Sequence, residues 1–177
     1  MENVITAPAG IVASLLNNRS RVYNKAVAGI TYRALAKGYS IPNIIWLAQQ
    51  IALETNWGES NSMESDLNAW GMNCVSTRET TQIGCREVLN GEVLGQYSSI
   101  GSSSTDRLLW DTYWGYDSHK RSDEYPEVVS EKYHASPDYA DTVSSVDSRS
   151  ARIAVWTAIL MVPTEAYLLW KFFKFLF

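Results

Sequence analysis

The sequence predicts an α+β protein that is mainly α, with a small β-hairpin lobe and a hydrophobic helix at its C-terminal end. Three observations predict it. Apolar residues recur at three- and four-residue spacing through the first third of the chain; short β-prone pieces replace that pattern between Trp70 and Tyr97; and Ile153 to Trp170 is strongly apolar apart from Glu165. With 177 residues, 46% hydrophobic and 19% charged, the chain is long enough for one packed domain plus an appendage. We expect a domain over residues 1–148 and a tail over 149–177.

The elements follow in order. From Ile11 to Lys37 the spacing of Val22, Ala26, Val27 and Ile30 predicts one or two amphipathic helices, with Gly38 as a stop. A further helix should start at Ser40, a fitting N-cap with Pro42 in its first turn, and run through Ile44, Leu47, Ala48 and Ile51 until Gly58 ends it. The Asn90-Gly91 pair is a strong hairpin signal within the β-prone stretch. Ser98 to Thr105, rich in Ser with one Gly, is expected to be an exposed, mobile loop. Helical character resumes near Ser118 and again over Tyr139 to Val146. The eighteen residues from Ile153 to Trp170 approach the length of a bilayer span, and the Trp-Lys-Phe-Phe-Lys end suits a membrane interface, although Pro163 and Glu165 are costly in hydrocarbon. A membrane anchor is the expected role, with a buried or subunit-packing helix as the alternative.

Composition narrows the partners. The net charge of −4 and the absence of a Lys/Arg run argue against nucleic acid. Two cysteines, Cys74 and Cys85, lack the second pair that a zinc site needs, so neither metal nor cofactor is expected. They either close a small disulfide loop or stay as separate thiols. The first residues lack a basic stretch followed by an apolar one, and so do not resemble a secretory signal. His119 and His134 have no Ser or Cys nucleophile motif nearby and are expected to be surface residues.

Glu54 is the residue with the strongest chemical promise. On a helix it shares a face with Leu47, Gln50 and Ile51, and Trp57 follows three residues later, so its carboxyl would emerge at the end of an apolar stripe. Desolvation there raises a carboxyl pKa and keeps its proton available for donation to a leaving group. The alternative is an ordinary solvated Glu in a last helical turn.

The surrounding residues sharpen the choice. Ala52-Leu53-Glu54-Thr55-Asn56-Trp57-Gly58-Glu59-Ser60, followed by Asn68-Ala69-Trp70-Gly71-Met72-Asn73, resembles the A-L-E-S-x-W-G-x-S and N-L-F-G-I-K signatures of the glucosaminidases of glycoside hydrolase family 73. Gly38-Tyr39-Ser40-Ile41-Pro42 through Leu47-Ala48-Gln49, Tyr113-Trp114-Gly115-Tyr116-Asp117-Ser118 and Ser136-Pro137-Asp138-Tyr139-Ala140-Asp141 resemble further motifs of that family, so the likeness runs from about Val22 to Val146. Met72-Asn73 departs from the usual Ile-Lys, and the Ser-rich segment before Tyr113 looks like an insertion.

The resemblance implies a lysozyme-like fold and an enzyme that cuts the peptidoglycan glycan strand after N-acetylglucosamine, with Glu54 as the acid. It nominates Glu87, in Arg86-Glu87-Val88-Leu89-Asn90-Gly91, as general base or electrostatic partner, with Glu79 and Glu92 as competitors on the same hairpin. For substrate binding it nominates Tyr139, with Tyr116, Trp57, Trp70 and Asn73 as further candidates. For such an enzyme the N-terminus points to a phage lytic or virion-associated protein, located in the virion or at the host membrane or periplasm, with other virion proteins among its partners. A lytic transglycosylase that needs only Glu54 is the nearest alternative, and an inactive lysozyme-fold structural protein of virion or membrane is another.

Overall fold

The first helix, α1 (Glu2–Asn17), lies against α2 (Arg21–Ala36), whose Ser20 N-cap accepts a hydrogen bond from Tyr23 N at 3.1 Å. The computed structural model describes residues 2–88 and 90–161. The third helix, α3 (Ile41–Thr55), starts as the sequence predicts, with Ser40 accepting from Asn43 N and Pro42 in the first turn. Tyr23, Ala26, Val27 and Ile30 of α2 meet Ile44, Leu47, Ala48 and Ile51 of α3 in the core. Short α4 (Asn61–Asp66) leads to the lobe, where β1 (Gly84–Glu87) pairs antiparallel with β2 (Val93–Gln96). Gly91 takes a left-handed φ of 83° in the turn between them, as the Asn-Gly signal requires.

Three ties hold the lobe together and to the helical body. Arg86 Nε lies 2.8 Å from Asp66 Oδ1, Arg78 Nη1 lies 2.8 Å from buried Asp106, and Cys74 is disulfide-bonded to Cys85. The last resolves the question that the two cysteines leave open in the sequence. It joins the strand carrying Glu87 to the segment just beyond Asn73.

The stretch Ser98 to Thr105 is not a mobile loop. Ser99 caps α5 (Ile100–Tyr113) by accepting from Ser102 N at 3.0 Å, and Gly101, Ser103 and Ser104 are buried. Small side chains serve close helix packing here: a Cβ added to Gly29 of α2 would sit 3.8 Å from Ser104 Oγ. A composition that suits a loop thus also suits a helix pressed against another.

A 3-10 turn (Tyr116–Ser118) precedes α6 (Tyr125–Tyr133) and α7 (Tyr139–Ser145). A final helix, α8 over residues 148–161, places Ala151, Ala154 and Val155 in the main core and Ala158 beside Ala9 and Ala28. The expected boundary at 148/149 therefore falls just ahead of residues that share the domain's core. Residues 162–177, on which most of the expected membrane anchor falls, lie outside the described residues. Among the described residues no helix is long and apolar enough to cross a membrane.

Candidate active site

Glu54 occupies the last turn of α3, and the backbone that follows it is unusual. Asn56, Trp57 and Gly58 all have left-handed φ, at 46°, 61° and 87°. Only the last is a glycine, and non-glycine residues in that region carry strain that the surroundings must hold in place. Thr55 Oγ1 helps hold it, accepting from Gly58 N at 2.8 Å while donating to Ile51 O at 2.6 Å. Gly58 is also required by space, since a Cβ there would lie 2.7 Å from Tyr23 N.

The carboxyl of Glu54 is half-buried, and the Tyr139 hydroxyl donates a hydrogen bond to Oε1. Oε2 faces Gly71, where any Cβ would come within 3.1 Å of it, so the glycine lets the backbone pass close to the carboxylate. Gln50, one turn back on α3, donates to the Tyr139 hydroxyl at 3.1 Å. Behind Gln50 sits fully buried Arg107, paired with Asp111, whose other oxygen accepts from Tyr39 at 2.7 Å and Tyr125 at 2.6 Å. Arg107 Nη2 reaches Gln50 Oε1 at 3.5 Å, the outer limit of a hydrogen bond. The orienting contacts of Glu54 thus run inward to a buried, charge-balanced anchor.

Burial pushes the Glu54 pKa up, against the opposing pull of the Tyr139 hydrogen bond and of the neighbouring His134 and Arg107. A carboxyl so placed can hold a proton above the usual carboxylate range and still be reached from solvent. Burial likewise pushes the Tyr139 hydroxyl well up, with the Glu54 charge adding to it, so that this group stays a donor.

The structure brings some of the nominated residues together and separates others. Tyr139 touches Glu54 directly. Trp70 is fully buried, so its ring is closed to a ligand; its carbonyl accepts from the Tyr133 hydroxyl and its neighbour Gly71 borders the carboxyl. Trp70 packs in the main core. Trp57 packs edge-on against Tyr23 at 5.0 Å, under the Arg19 guanidinium at 3.7 Å from its ring centroid. Tyr116 is half-buried with its ring 5.6 Å from Trp110. Asn73 is exposed, bridges to Leu94 and lines a small pocket with Gly71.

Glu87 is exposed at the end of β1 and lines a different depression with Asn61, Ser62 and Arg86. His134 is exposed as expected, yet its ring stacks on Tyr139 at 4.7 Å and 10°. Sequence reasoning misses that contact, along with Gln50 as a partner of Tyr139 and Arg107 behind it. The available signal for His134 is its position five residues before Tyr139. Arg107 gives none, because it lies just beyond a Ser-rich segment whose composition suggests a loop. Among the described residues no group of three or more His, Cys, Asp or Glu is placed to hold a metal ion.

A mainly helical α+β body with a desolvated carboxyl beside the segment leading into a hairpin lobe is an arrangement suited to a glycoside hydrolase that works by proton donation. The glucosaminidase family model, described as mannosyl-glycoprotein endo-beta-N-acetylglucosaminidase, matches residues 29–150, and the chain belongs to that family. It is a glycoside hydrolase, and its family assignment supports peptidoglycan as the substrate. Among solved structures, the chain is similar to one described as a type VI secretion system effector-immunity complex from Pseudomonas protegens. The two share 13% identity over 79% of this chain and 99% of that one, with a TM-score of 0.46. A search of curated proteins finds no match.

Proposed function

We propose that the protein is an endo-β-N-acetylglucosaminidase that cuts the β-1,4 bond after N-acetylglucosamine in peptidoglycan, with Glu54 donating the proton to the departing sugar oxygen. The observation that carries this reading is the half-buried Glu54 carboxyl, its pKa raised by burial and its position set by the Tyr139 hydroxyl. Glu87 is the proposed second carboxylate, acting as general base or electrostatic partner from the hairpin lobe. Tyr139, Tyr116 and Asn73 are the proposed contacts to the sugar.

The cellular setting is part of the same proposal. The apolar, aromatic- and Lys-ended sequence after residue 161 supports attachment to a membrane. A wall-cutting domain joined to such a tail suits a phage lytic or virion-associated enzyme. One observation favours a second reading: the depression that Glu87 lines includes neither Glu54 nor Gly71 beside it, so a lytic transglycosylase that relies on Glu54 alone fits the same site.

Mass spectrometry of fragments released from purified peptidoglycan tests the choice, with Glu54→Gln alongside. Reducing N-acetylglucosamine ends that the variant does not release are expected. Anhydro ends would instead establish the transglycosylase. No release by the wild type would leave an inactive structural protein as the better reading.

A further inference from the structure

Next to Glu54 the surface opens into a pocket of about 240 Å³, bounded by Gly71, Asn73, Arg78, Trp110, Lys132 and Tyr133. Gly71 is the common wall, since it also lies against Glu54 Oε2. The volume falls below the roughly 300–1,000 Å³ of a site that encloses a whole small molecule, so it suits a substituent of a ligand that continues across the surface.

The two cations on this wall differ. The Arg78 side chain is buried and committed to Asp106 through contacts of 2.8 and 3.0 Å. Lys132 is exposed, and among the described residues it forms no ion pair. Its ammonium instead lies 4.1 Å from the centre of the Trp114 ring.

Around it runs a series of aromatic rings leading out of the pocket. Trp110 sits 5.4 Å from Tyr133 and 6.3 Å from Trp114, and Trp114 sits 5.0 Å from Tyr113. The outer two are open to solvent, Trp114 by 41% and Tyr113 by 51%. Exposed rings of this size in one cluster are unusual on a protein surface and mark a binding face.

We propose that Lys132 and the Trp110–Trp114 ring pair form a subsite beside the acid that takes a carboxylate-bearing part of the glycan strand, with the rings covering the sugar and the ammonium pairing with the carboxylate. This rests on the glycan-hydrolase reading and adds to it. N-acetylglucosamine is uncharged, so a carboxylate next to the cleaved bond distinguishes peptidoglycan from neutral polymers of that sugar. Two sources supply the same chemistry, the lactyl carboxylate of a muramic acid unit without its peptide and the carboxylates of the stem peptide. The competing role for Lys132 is structural, since it lies in the last turn of α6, where a cation meets the negative end of the helix.

Steady-state kinetics of the full chain with Lys132→Met and Lys132→Arg decide between them. Four substrates are needed: intact peptidoglycan, glycan stripped of peptide by an amidase, and each of these after carbodiimide amidation of its carboxylates. Lys132→Met should raise KM about fivefold on a carboxylate-bearing substrate with little change in kcat, and Lys132→Arg should restore most of it. Amidation should lower the wild type to the level of the Met variant and abolish the difference between them. A difference on the intact material alone assigns the stem peptide, and one on the stripped glycan alone assigns the lactyl group. A Met defect that persists on amidated substrate, or no defect on either, overturns the subsite. A wild type inactive on all four overturns the glycan-hydrolase reading itself.

Discussion

Tyr139 reaches across from the start of α7 to donate its hydroxyl proton to Glu54 at the end of α3, and its ring meanwhile stacks on His134 at 4.7 Å. The hydroxyl therefore aims the carboxyl and also opposes the effect of burial on it. Desolvation raises the Glu54 pKa, and the hydrogen bond from Tyr139 is the largest influence acting downward.

Tyr139→Phe keeps the stacked ring and removes the hydroxyl, with its bond to Glu54 and the one it accepts from Gln50. The Glu54 pKa should then move further up, because burial acts with less opposition. Since a proton donor works only while protonated, activity is lost as pH rises through its pKa. The alkaline limb of the pH–rate profile should accordingly move to higher pH, while kcat falls about tenfold or more through the loss of aim. An alkaline limb that stays in place, or moves down, would show that Tyr139 does not act on Glu54 in solution.

Glu54→Gln should abolish turnover by roughly 10²- to 10⁴-fold or more, the usual worth of general acid catalysis. It should also stabilise the fold at neutral pH. A carboxyl whose folded pKa is raised contributes stability that is complete below its unfolded pKa and is lost as pH rises through the folded value. Gln carries no charge to desolvate, so the gain in Tm over the wild type should be larger at about pH 7 than at about pH 4. Melting curves at both pH values check this, and an equal or inverted difference would mean that Glu54 is not strained by its burial.

The sequence exposes the parts of this site whose causes are local. Ser40, Pro42 and Gly58 mark α3 because capping and chain reversal depend on a few adjacent residues, and Asn90-Gly91 marks the hairpin for the same reason. The start of α5 is hidden, because Ser103 and Ser104 are helical through burial against a neighbouring helix, which composition reads as a loop. Trp70 and Tyr139 show the same limit: both are buried aromatic residues in matching motifs, and only the fold shows that one is closed into the core while the other presents its hydroxyl to Glu54. The Gln50 and Arg107 contacts join α3, α5 and α7, and no sequence spacing encodes them.

Glu87 gives a cleaner test of the hairpin lobe than geometry alone. It sits at the end of β1 opposite Val93, while Glu79 precedes the strand and Glu92 lies in the turn region; all three are exposed. As the second carboxylate, Glu87→Gln should reduce kcat by about tenfold or more with unchanged melting, while Glu79→Gln and Glu92→Gln stay within about twofold of wild type. Loss confined to Glu79→Gln or Glu92→Gln would move the role to that residue. Full activity in all three would leave Glu54 acting alone and favour the transglycosylase.

Asp147 ties α8 to the turn that follows Glu54. Its carboxylate accepts from Arg149 N at 3.0 Å, Ser150 N at 3.2 Å and Ser150 Oγ at 2.7 Å, and pairs with Arg19 at 3.0 Å. The Ser150 hydroxyl, then Arg19, hold its pKa down to about 2. The Arg19 pair is more than a third exposed on the Asp147 side, so solvent screens it and the helix cap is the larger contribution. Asp147→Ala should therefore cost about 1 kcal/mol in urea unfolding at neutral pH. A depressed pKa gives stability that is present above the unfolded value of 3.8 and is lost as pH falls through about 2. The variant and wild type should thus converge across that window. Arg19 also covers Trp57, so loosening it should weaken the strained turn after Glu54, and a matching fall in activity at neutral pH would show that α8 supports the acid from outside the cleft. Unchanged activity despite lower stability would confine Asp147 to holding α8.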